Sequence, residues 1–267
     1  MTTPMFDPRL DARIACELDR AISDAPFDRD LMKRLATVRT LVDGRIVFTT
    51  SFGIEDQAIT HTIFEQALEI EVVTFDTGRL FPETYQLWTQ TERRYGRRIP
   101  AFYADRASVE SLVADQGIDG FYASVEGRRA CCAIRKVEPL RRALAGASAW
   151  ITGLRADQSD DRAAISFATI GSHHRLIKVN PLFDWTREHV LSFIRQHDVP
   201  YNPLHDRGFA SIGCAPCTRA IEIGEPERAG RWWWEREEKK ECGLHRPRHS
   251  RGAASATSQH LTKEATS

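Results

Sequence analysis

The chain alternates short β-branched segments with amphipathic helical segments, and this alternation limits its fold more than any other feature. "RIVFTT" precedes the helical "QAITHTIFEQAL", and "EIEVVTF" precedes the helical "TYQLWTQTERRY". "RIPAFYA" and "AWITGL" continue the pattern as further strands, while "AAISFATI" and "HRLIKVNPL" predict a hairpin or an extension of the sheet edge. Strands that alternate with helices indicate an α/β fold, with helices on both faces of a parallel sheet.

Changes in composition along the chain predict four regions. Residues 1–43 are expected to form a helical segment, and residues 44–222 the α/β domain that carries most of the cysteines. Loops, Pro and Gly then dominate, so residues 223–245 are expected to form a mobile, irregular C-terminal segment. Residues 246–267 are small, polar and non-periodic, which is typical of a disordered tail.

Charge and hydropathy argue against two classes of partner. The chain has 37 basic and 37 acidic residues, so no net charge draws it to nucleic acid or to an anionic membrane. Its N-terminus lacks the apolar region of a secretory signal, and no apolar run approaches the roughly 20 residues that span a bilayer. We therefore expect a cytoplasmic protein without nucleic-acid or membrane partners.

Three loops follow predicted strands, at the edge where open α/β sheets bind ligands. Their sequences are "TTSFGIED", "FDTGRLFPET" and "TGLRADQSDDR". None matches a Walker loop or the G-x-G-x-x-G pattern, and each taken alone reads as an ordinary strand–helix turn. Taken together, their small residues, glycines and helix N-termini predict a nucleotide site.

The cysteines predict a metal centre. Of the six, Cys131 and Cys132 are adjacent, and a disulfide between neighbours is strained. Together with Cys214 and Cys217 of "CAPC", they supply four thiolates that suit zinc or an iron–sulfur cluster. Adjacent ligands are awkward for one zinc ion and less so for separate corners of a cubane, which favours a 4Fe-4S cluster and leaves zinc as the alternative. Cys16 lies in the N-terminal helical pattern and is expected in the core.

The stretch "RWWWEREEKKECGLH" contains a candidate nucleophile. Cys242 stands close to several Lys and Arg residues, and a cationic neighbourhood favours the reactive thiolate. The alternative interpretation is an unpaired surface cysteine. Three consecutive tryptophans cannot share one helix face, so at least one is expected to pack against another segment or a ligand.

Several of these motifs together resemble the assimilatory sulfonucleotide reductases. The motifs are "SFGIED", "DTGRLFPETY", "CCAIRKVEPL", "SIGCAPCTR", "GRWWWE" and "ECGLH". Within that family, which includes the phosphoadenylyl-sulfate (PAPS) reductases, the chain is similar to the iron–sulfur type, adenylyl-sulfate (APS) reductase. The resemblance implies an adenine-nucleotide α-hydrolase-like fold, related to the ATP pyrophosphatases. In the first loop, Phe52 stands where many relatives carry Ser.

The resemblance also implies a reaction and its residues. Cys131, Cys132, Cys214 and Cys217 would hold one 4Fe-4S cluster per subunit, and Cys242 would attack the sulfur of APS. AMP would leave, and thioredoxin would release sulfite from the resulting S-sulfocysteine, as a step of sulfate assimilation and cysteine biosynthesis. Assembly into a homo-oligomer is a further expectation. The expected substrate-binding residues are Ser51, Gly53, Asp56, Phe75, Lys136, Gly153, Arg162, Arg228, Arg231 and His245.

Three alternative functions differ in the features that they require. PAPS reductases lack the four cluster cysteines, so their presence favours APS, while dual specificity stays open. An RNA-thiolating pyrophosphatase calls for an S-G-G-x-D-S loop and a basic surface, neither of which this chain supplies. A cluster-bearing redox sensor leaves Cys242 and the nucleotide loops unexplained.

Overall fold

The computed structural model describes residues 8–23, 30–171 and 176–235. The strands are β1 (Ile46–Thr50), β2 (Glu71–Asp76), β3 (Ala101–Tyr103), β4 (Ala149–Ile151), β5 (Ala168–Ile170) and β6 (Ile177–Val179). The helices are α1 (Pro8–Ser23), α2 (Leu31–Leu41), α3 (Ile54–Glu65), α4 (Pro82–Tyr95), α5 (Arg106–Gln116), α6 (Val125–Cys132), α7 (Glu138–Ala143) and α8 (Arg187–Gln196). Within the described ranges, every helix falls short of the length and apolar content needed to cross a bilayer.

The strands form one six-stranded sheet in the order β3-β2-β1-β4-β6-β5. All neighbouring pairs are parallel except β5 and β6, whose antiparallel register pairs Ala168 with Val179. The predicted parallel α/β sheet and its hairpin extension are therefore confirmed. The chain winds outward from β1 to β3 on one side and continues through β4 on the other. The carboxyl ends of β1 and β4 thus form a topological switch point, where open α/β sheets leave a crevice for ligands.

Helices cover both faces of the sheet because side chains alternate along each strand. Ile46 and Phe48 of β1 belong to the larger apolar cluster, which includes residues of α1, α2, α3 and α8. Val47, between them in sequence, belongs to a second cluster with Leu140 of α7. Because the strands are buried from both sides, the loops at their ends are held on a rigid base.

The expectation that Cys16 lies in the core is wrong, since its side chain is exposed on α1. Ala15 and Leu18 are buried, and Ile14 and Ile22 pack beside them. These positions form a helical stripe at i, i+3 and i+4 spacing, and Cys16 lies outside that stripe.

The cysteine pair lies in a longer helical stretch than the sequence predicts. Cys131 and Cys132 end α6, and residues Ala133–Val137 continue the chain as a π-helical turn that leads directly into α7. A π turn is wider than an α turn and is frequent at functional sites. Here it follows the paired cysteines directly and contains Lys136, so it sets the orientation of Lys136 relative to the cysteines.

Candidate active site

A cleft opens at the switch point of the sheet, between the loops that follow β1 and β4. Its volume is about 180 Å³, enough for a ligand of many atoms where one water needs roughly 10–15 Å³. All nine predicted substrate-binding residues that fall in the described ranges line it: Ser51, Gly53, Asp56, Phe75, Lys136, Gly153, Arg162, Arg228 and Arg231.

The first loop leads into α3 through a glycine. Gly53 occupies the N-cap position and has no side chain to cap the first turn of the helix. Phe52 adopts a left-handed φ of 60°, and its ring is buried and stacks on Trp88 at 5.7 Å. The phenyl group of Phe52 thus packs in the core, and Ser51 lines the cleft. A helix N-terminus of this kind favours an anionic ligand.

Asp56 connects the loops after β1 and β4. Its Oδ2 accepts hydrogen bonds from the Ser51 N–H (2.6 Å) and from the Ser51 hydroxyl (2.7 Å). Burial raises the pKa of Asp56 to about 7; the bonds from Ser51 lower it, and the nearby Glu55 raises it. A Cβ at position 153 would overlap Asp56 Oδ1 and lie 3.2 Å from the Glu55 Cβ, so glycine permits this approach.

A buried ionic network anchors the same two loops to the C-terminal part of the chain. The fully buried Arg155 donates from Nε to Glu55 (2.9 Å) and from Nη1 to Asp157 (3.0 Å). Its Nη2 donates to both carboxylate oxygens of Glu227, at 2.9 and 2.8 Å. Because Glu227 immediately precedes Arg228, the network fixes the start of the segment that brings Arg228 and Arg231 to the cleft.

Two of the cleft cations, Arg231 and Arg162, are held in place by hydrogen bonds to neighbouring groups. Arg231 is 6% exposed and its Nη1 donates to the carbonyl of Ile212 at 3.3 Å. Its guanidinium packs on the backbone of Gly213, where a Cβ would lie 2.6 Å from Arg231 Cζ. Arg162 donates from Nη1 to the side-chain oxygen of Gln158, and the Gln158 Nε2 donates to Glu55. Preorganised cations stabilise negative charge better than mobile ones.

The four predicted cluster ligands line a second, smaller cavity. Cys131 and Cys132 reach it from α6, while Cys214 and Cys217 flank the 3₁₀ turn Ala215–Cys217. Lys136 and Trp232 line both this cavity and the cleft. In the described ranges, no three His, Cys, Asp or Glu side chains are arranged to hold a single metal ion.

The surroundings of the cysteine cavity fit an anionic, sulfur-ligated group. The buried N–H groups Trp232 Nε1 and Arg135 Nε have no hydrogen-bond partner in the described part of the chain, and both residues line the cavity. The Thr77 hydroxyl lies 3.3 Å from Cys214 Sγ. Burial raises the pKa of Cys131, and raises that of Cys217 to about 11, so these thiols would need a metal to ionise at neutral pH.

Two of the predicted site residues cannot be placed. Cys242 and His245 lie outside the described residues, which end at Glu235.

Of the three tryptophans, Trp232 is 1% exposed and lines the cysteine cavity, and Trp233 is 40% exposed. The expectation that at least one packs against another segment is thus confirmed.

Two site residues were not predicted: Glu227, which belongs to the ionic network, and His205. His205 lines the cleft with both ring nitrogens buried and no hydrogen-bond partner in the described ranges. Burial lowers the pKa of His205, so its imidazole is neutral at physiological pH. Arg155 belongs to the third loop from which the sequence predicts the nucleotide site, although its role in the ionic network was not predicted. Glu227 and His205 lie outside the three predicted loops, and no motif marked them.

Comparisons with known proteins point to one family. The family model described as "Phosphoadenosine phosphosulfate reductase domain" matches residues 45–220. A protein of Sinorhizobium fredii (strain USDA 257) named adenosine 5'-phosphosulfate reductase is 55% identical over 226 residues, which cover 85% of this chain and 90% of that protein.

Solved structures agree on the fold. The phosphoadenylyl-sulfate (PAPS) reductase of Candida auris, a phosphate complex, has a TM-score of 0.62 at 25% identity and covers 78% of this chain and 96% of its own. The FMN adenylyltransferase of Candida glabrata, in complex with FAD and pyrophosphate, has a TM-score of 0.50 at 15% identity, covering 90% and 86%. The latter likeness concerns the fold alone. The predicted adenine-nucleotide α-hydrolase-like fold is confirmed.

Proposed function

Since the chain belongs to the phosphoadenosine phosphosulfate reductase domain family and is an oxidoreductase acting on sulfur, we propose that it reduces adenylyl sulfate to sulfite and AMP. One observation carries the proposal: the predicted substrate residues converge on a single cleft that adjoins the four-cysteine cavity. The substrate follows from the 55% identical relative, whose name specifies adenosine 5'-phosphosulfate.

The cleft is suited to expel AMP as a leaving group. When the sulfur–oxygen bond breaks, negative charge develops on the departing phosphate oxygen, and fixed cations must stabilise it. Lys136, Arg228 and Arg231 line the cleft and supply those cations, and Lys136 also lines the cysteine cavity. The N-terminus of α3 adds the partial positive charge of its first N–H groups.

Four cysteines are proposed to hold a 4Fe-4S cluster: Cys131, Cys132, Cys214 and Cys217. The adjacency of Cys131 and Cys132, which is awkward for one zinc ion, supports that assignment, and the unpartnered N–H groups of Trp232 and Arg135 suit an anionic group. When bound, the cluster would supply a structural and electrostatic group beside Lys136, because the electrons of the reaction come from thiols.

The nucleophile is proposed to be the thiolate of Cys242. It would attack the sulfur of APS, forming a sulfur–sulfur bond while the bond to the AMP oxygen breaks with its electron pair. A thiol of thioredoxin would then attack Cys242 Sγ, release sulfite and form a mixed disulfide. The second thiol of thioredoxin would break that bond, closing the disulfide of thioredoxin and releasing the Cys242 thiolate. Cys242 follows Glu235 by seven residues, a length of chain that reaches about 25 Å at most.

Activity on PAPS is a second candidate. The family model and the Candida auris protein are both named for reductases of phosphoadenosine phosphosulfate (PAPS), although the latter is only 25% identical to this chain. APS remains the preferred substrate because of the closer likeness to the Sinorhizobium fredii protein.

A cytoplasmic location suits a reaction that consumes thiols, and assembly into a homo-oligomer stays a prediction.

A single turnover tests the proposed function. Anaerobically purified protein is mixed with sulfur-labelled APS, or separately with labelled PAPS, in the absence of thioredoxin. Label is expected on the protein from APS alone, and it should be absent from Cys242→Ser but retained in the matched control Cys16→Ser, whose thiol is exposed on α1.

The other outcomes have distinct meanings. Equal labelling from both nucleotides would indicate dual specificity and would show that the four cysteines do not determine the substrate. Label that persists in Cys242→Ser would contradict the assignment of the nucleophile. Absence of label from either substrate would contradict the covalent mechanism as a whole.

A further inference from the structure

We propose that the buried ion pair between Arg128 and Glu235 is a positioning device, which holds Trp232 between the two cavities and thereby fixes Arg231 in the substrate cleft. The inference rests on the proposed function, because Arg231 is assigned to the substrate there. Neither Arg128 nor Glu235 lines the cleft, so both would act through the residues between them and the ligand.

The pair joins distant parts of the chain inside the protein. Arg128 of α6 donates from Nε and from Nη2 (3.0 Å for Nη2) to the two carboxylate oxygens of Glu235. The two side chains are only 1% and 2% exposed. Burying two charges is costly, and the best attested use of such pairs is to specify one arrangement rather than to add stability. Glu235 is thus held at a single place on α6.

Trp232 is constrained by this pair and by its own backbone. The guanidinium carbons of Arg128 and Arg231 lie 4.6 and 4.8 Å from the centroid of the Trp232 ring, which is a cation–π arrangement. Its φ of 46° lies in the left-handed region, which is rare for a bulky residue and persists only where surrounding contacts impose it. Its N–H donates to the carbonyl of Cys217 at 3.2 Å.

The constraint on Trp232 extends to Arg231. The guanidinium of Arg231 lies between the Trp232 ring and the backbone of Gly213, where a side chain would collide with it. A shift of Trp232 would therefore displace a cation that lines the cleft. Glu235 also donates its N–H to the carbonyl of Trp232 at 2.9 Å, so the turn that carries the tryptophan ends at the ion pair.

Binding of AMP to the anaerobically purified full chain, measured by calorimetry, tests the inference. Glu235→Gln is expected to raise the Kd for AMP at least tenfold and to lower the melting temperature. The matched control is Asp184→Asn, which breaks another ion pair to a buried arginine, Arg34, whose side chain is 2% exposed. Neither of these two residues lines the cleft, so the control should lose stability while its Kd stays within about twofold of the wild type.

A double variant separates positioning from stability. Replacing both partners by methionine removes the buried charges, a change that often restores or raises stability. The Arg128→Met, Glu235→Met protein is expected to recover its melting temperature without recovering its AMP affinity, because the guanidinium over Trp232 is gone.

Three results would overturn the inference. The first is a wild-type AMP affinity in Glu235→Gln. The second is a double variant that recovers its AMP affinity together with its melting temperature. The third is loss of iron from Glu235→Gln, which would place the role of the pair at the cysteine cavity. Failure of the wild type itself to bind AMP is a different result. It would contradict the proposed function, and this inference with it.

Discussion

Gly153 illustrates how one residue shapes the cleft. The Asp56 carboxylate lies against its backbone, and a methyl group there would overlap Asp56 Oδ1. Gly153→Ala should therefore destabilise the protein by about 1–3 kcal/mol, as overpacked sites do, and should weaken AMP binding. Thermal unfolding with and without AMP measures both effects.

The control for that substitution is Gly53→Ala in the same cleft. Its φ is −68°, and a Cβ there would lie 3.6 Å from the Glu55 carboxylate, an ordinary contact. Gly53→Ala should keep the wild-type melting temperature. An equal loss of melting temperature in both variants would contradict the steric explanation.

Asp56 gives the protein a dependence on pH that can be worked out in sign. Burial raises the pKa of this carboxyl to about 7, above its ordinary value of 3.8. Between these values the folded state binds more protons than the unfolded state, so the contribution of Asp56 to stability falls as the pH rises from about 4 to about 7. In Asp56→Asn that fall should be absent, and the variant should gain stability relative to the wild type at pH 8 compared with pH 5.

Asparagine suits this test because both bonds from Ser51 end on the same oxygen, Oδ2, which an amide oxygen can replace. Melting temperatures of wild type and variant between pH 5 and pH 8 provide the measurement. A difference between the two proteins that does not change with pH would show that Asp56 keeps an ordinary pKa.

At the scale of elements, two short pieces of chain supply the proposed cluster ligands: the end of α6 and the turn Ala215–Cys217. Removing one thiol from either piece should release the group that connects them. Cys132→Ser and Cys217→Ser are each expected to lose iron and acid-labile sulfide, and to melt at a lower temperature. Elemental analysis of anaerobically purified proteins measures this.

Cys16→Ser is again the control, since its thiol lies outside the cavity and it should keep about four irons per chain, as a 4Fe-4S cluster requires. A zinc content of one per chain in the wild type, in place of iron, would contradict the cluster assignment.

An element could be predicted when its signal lies in consecutive residues, and not when it depends on contacts between distant residues. The strand β1 was predicted from a short β-branched run and the helix α8 from helical apolar spacing, and both signals lie in consecutive residues. The π turn Ala133–Val137 was not predicted, because one extra residue in a helical turn leaves almost no trace in apolar spacing. The cleft residues were identified through motifs shared with a family, whereas Arg155 and Glu227 are brought together only by tertiary structure.

At the scale of the whole molecule, zero net charge conceals a strong local separation of charge. Three regions of chain, around residues 55, 155 and 227, meet at the fully buried Arg155. Two acidic partners of this arginine, Glu55 and Glu227, line the cleft, and so do the cations Lys136, Arg162, Arg228 and Arg231. The network thus holds the acidic and the basic side of the cleft in one arrangement.

Glu227→Gln tests that arrangement. The substitution removes one of the carboxylates that neutralise Arg155 and loosens the segment that leads to Arg228 and Arg231. Breaking a buried pair by removing one partner typically costs 3–5 kcal/mol, and Glu55 and Asp157 should limit the cost here to about half of that. Calorimetry should show AMP affinity reduced roughly tenfold, because the displaced cations bind phosphate less well.

Glu83→Gln provides the comparison, because it removes an ion pair with Arg207 whose arginine side chain is 56% exposed. Such surface pairs contribute about 0–1 kcal/mol, so this variant should match the wild type in both melting temperature and AMP affinity. If Glu227→Gln lost stability but bound AMP normally, the network would support the fold without positioning the cations. The connection between the buried charges and the cleft would then have to be abandoned.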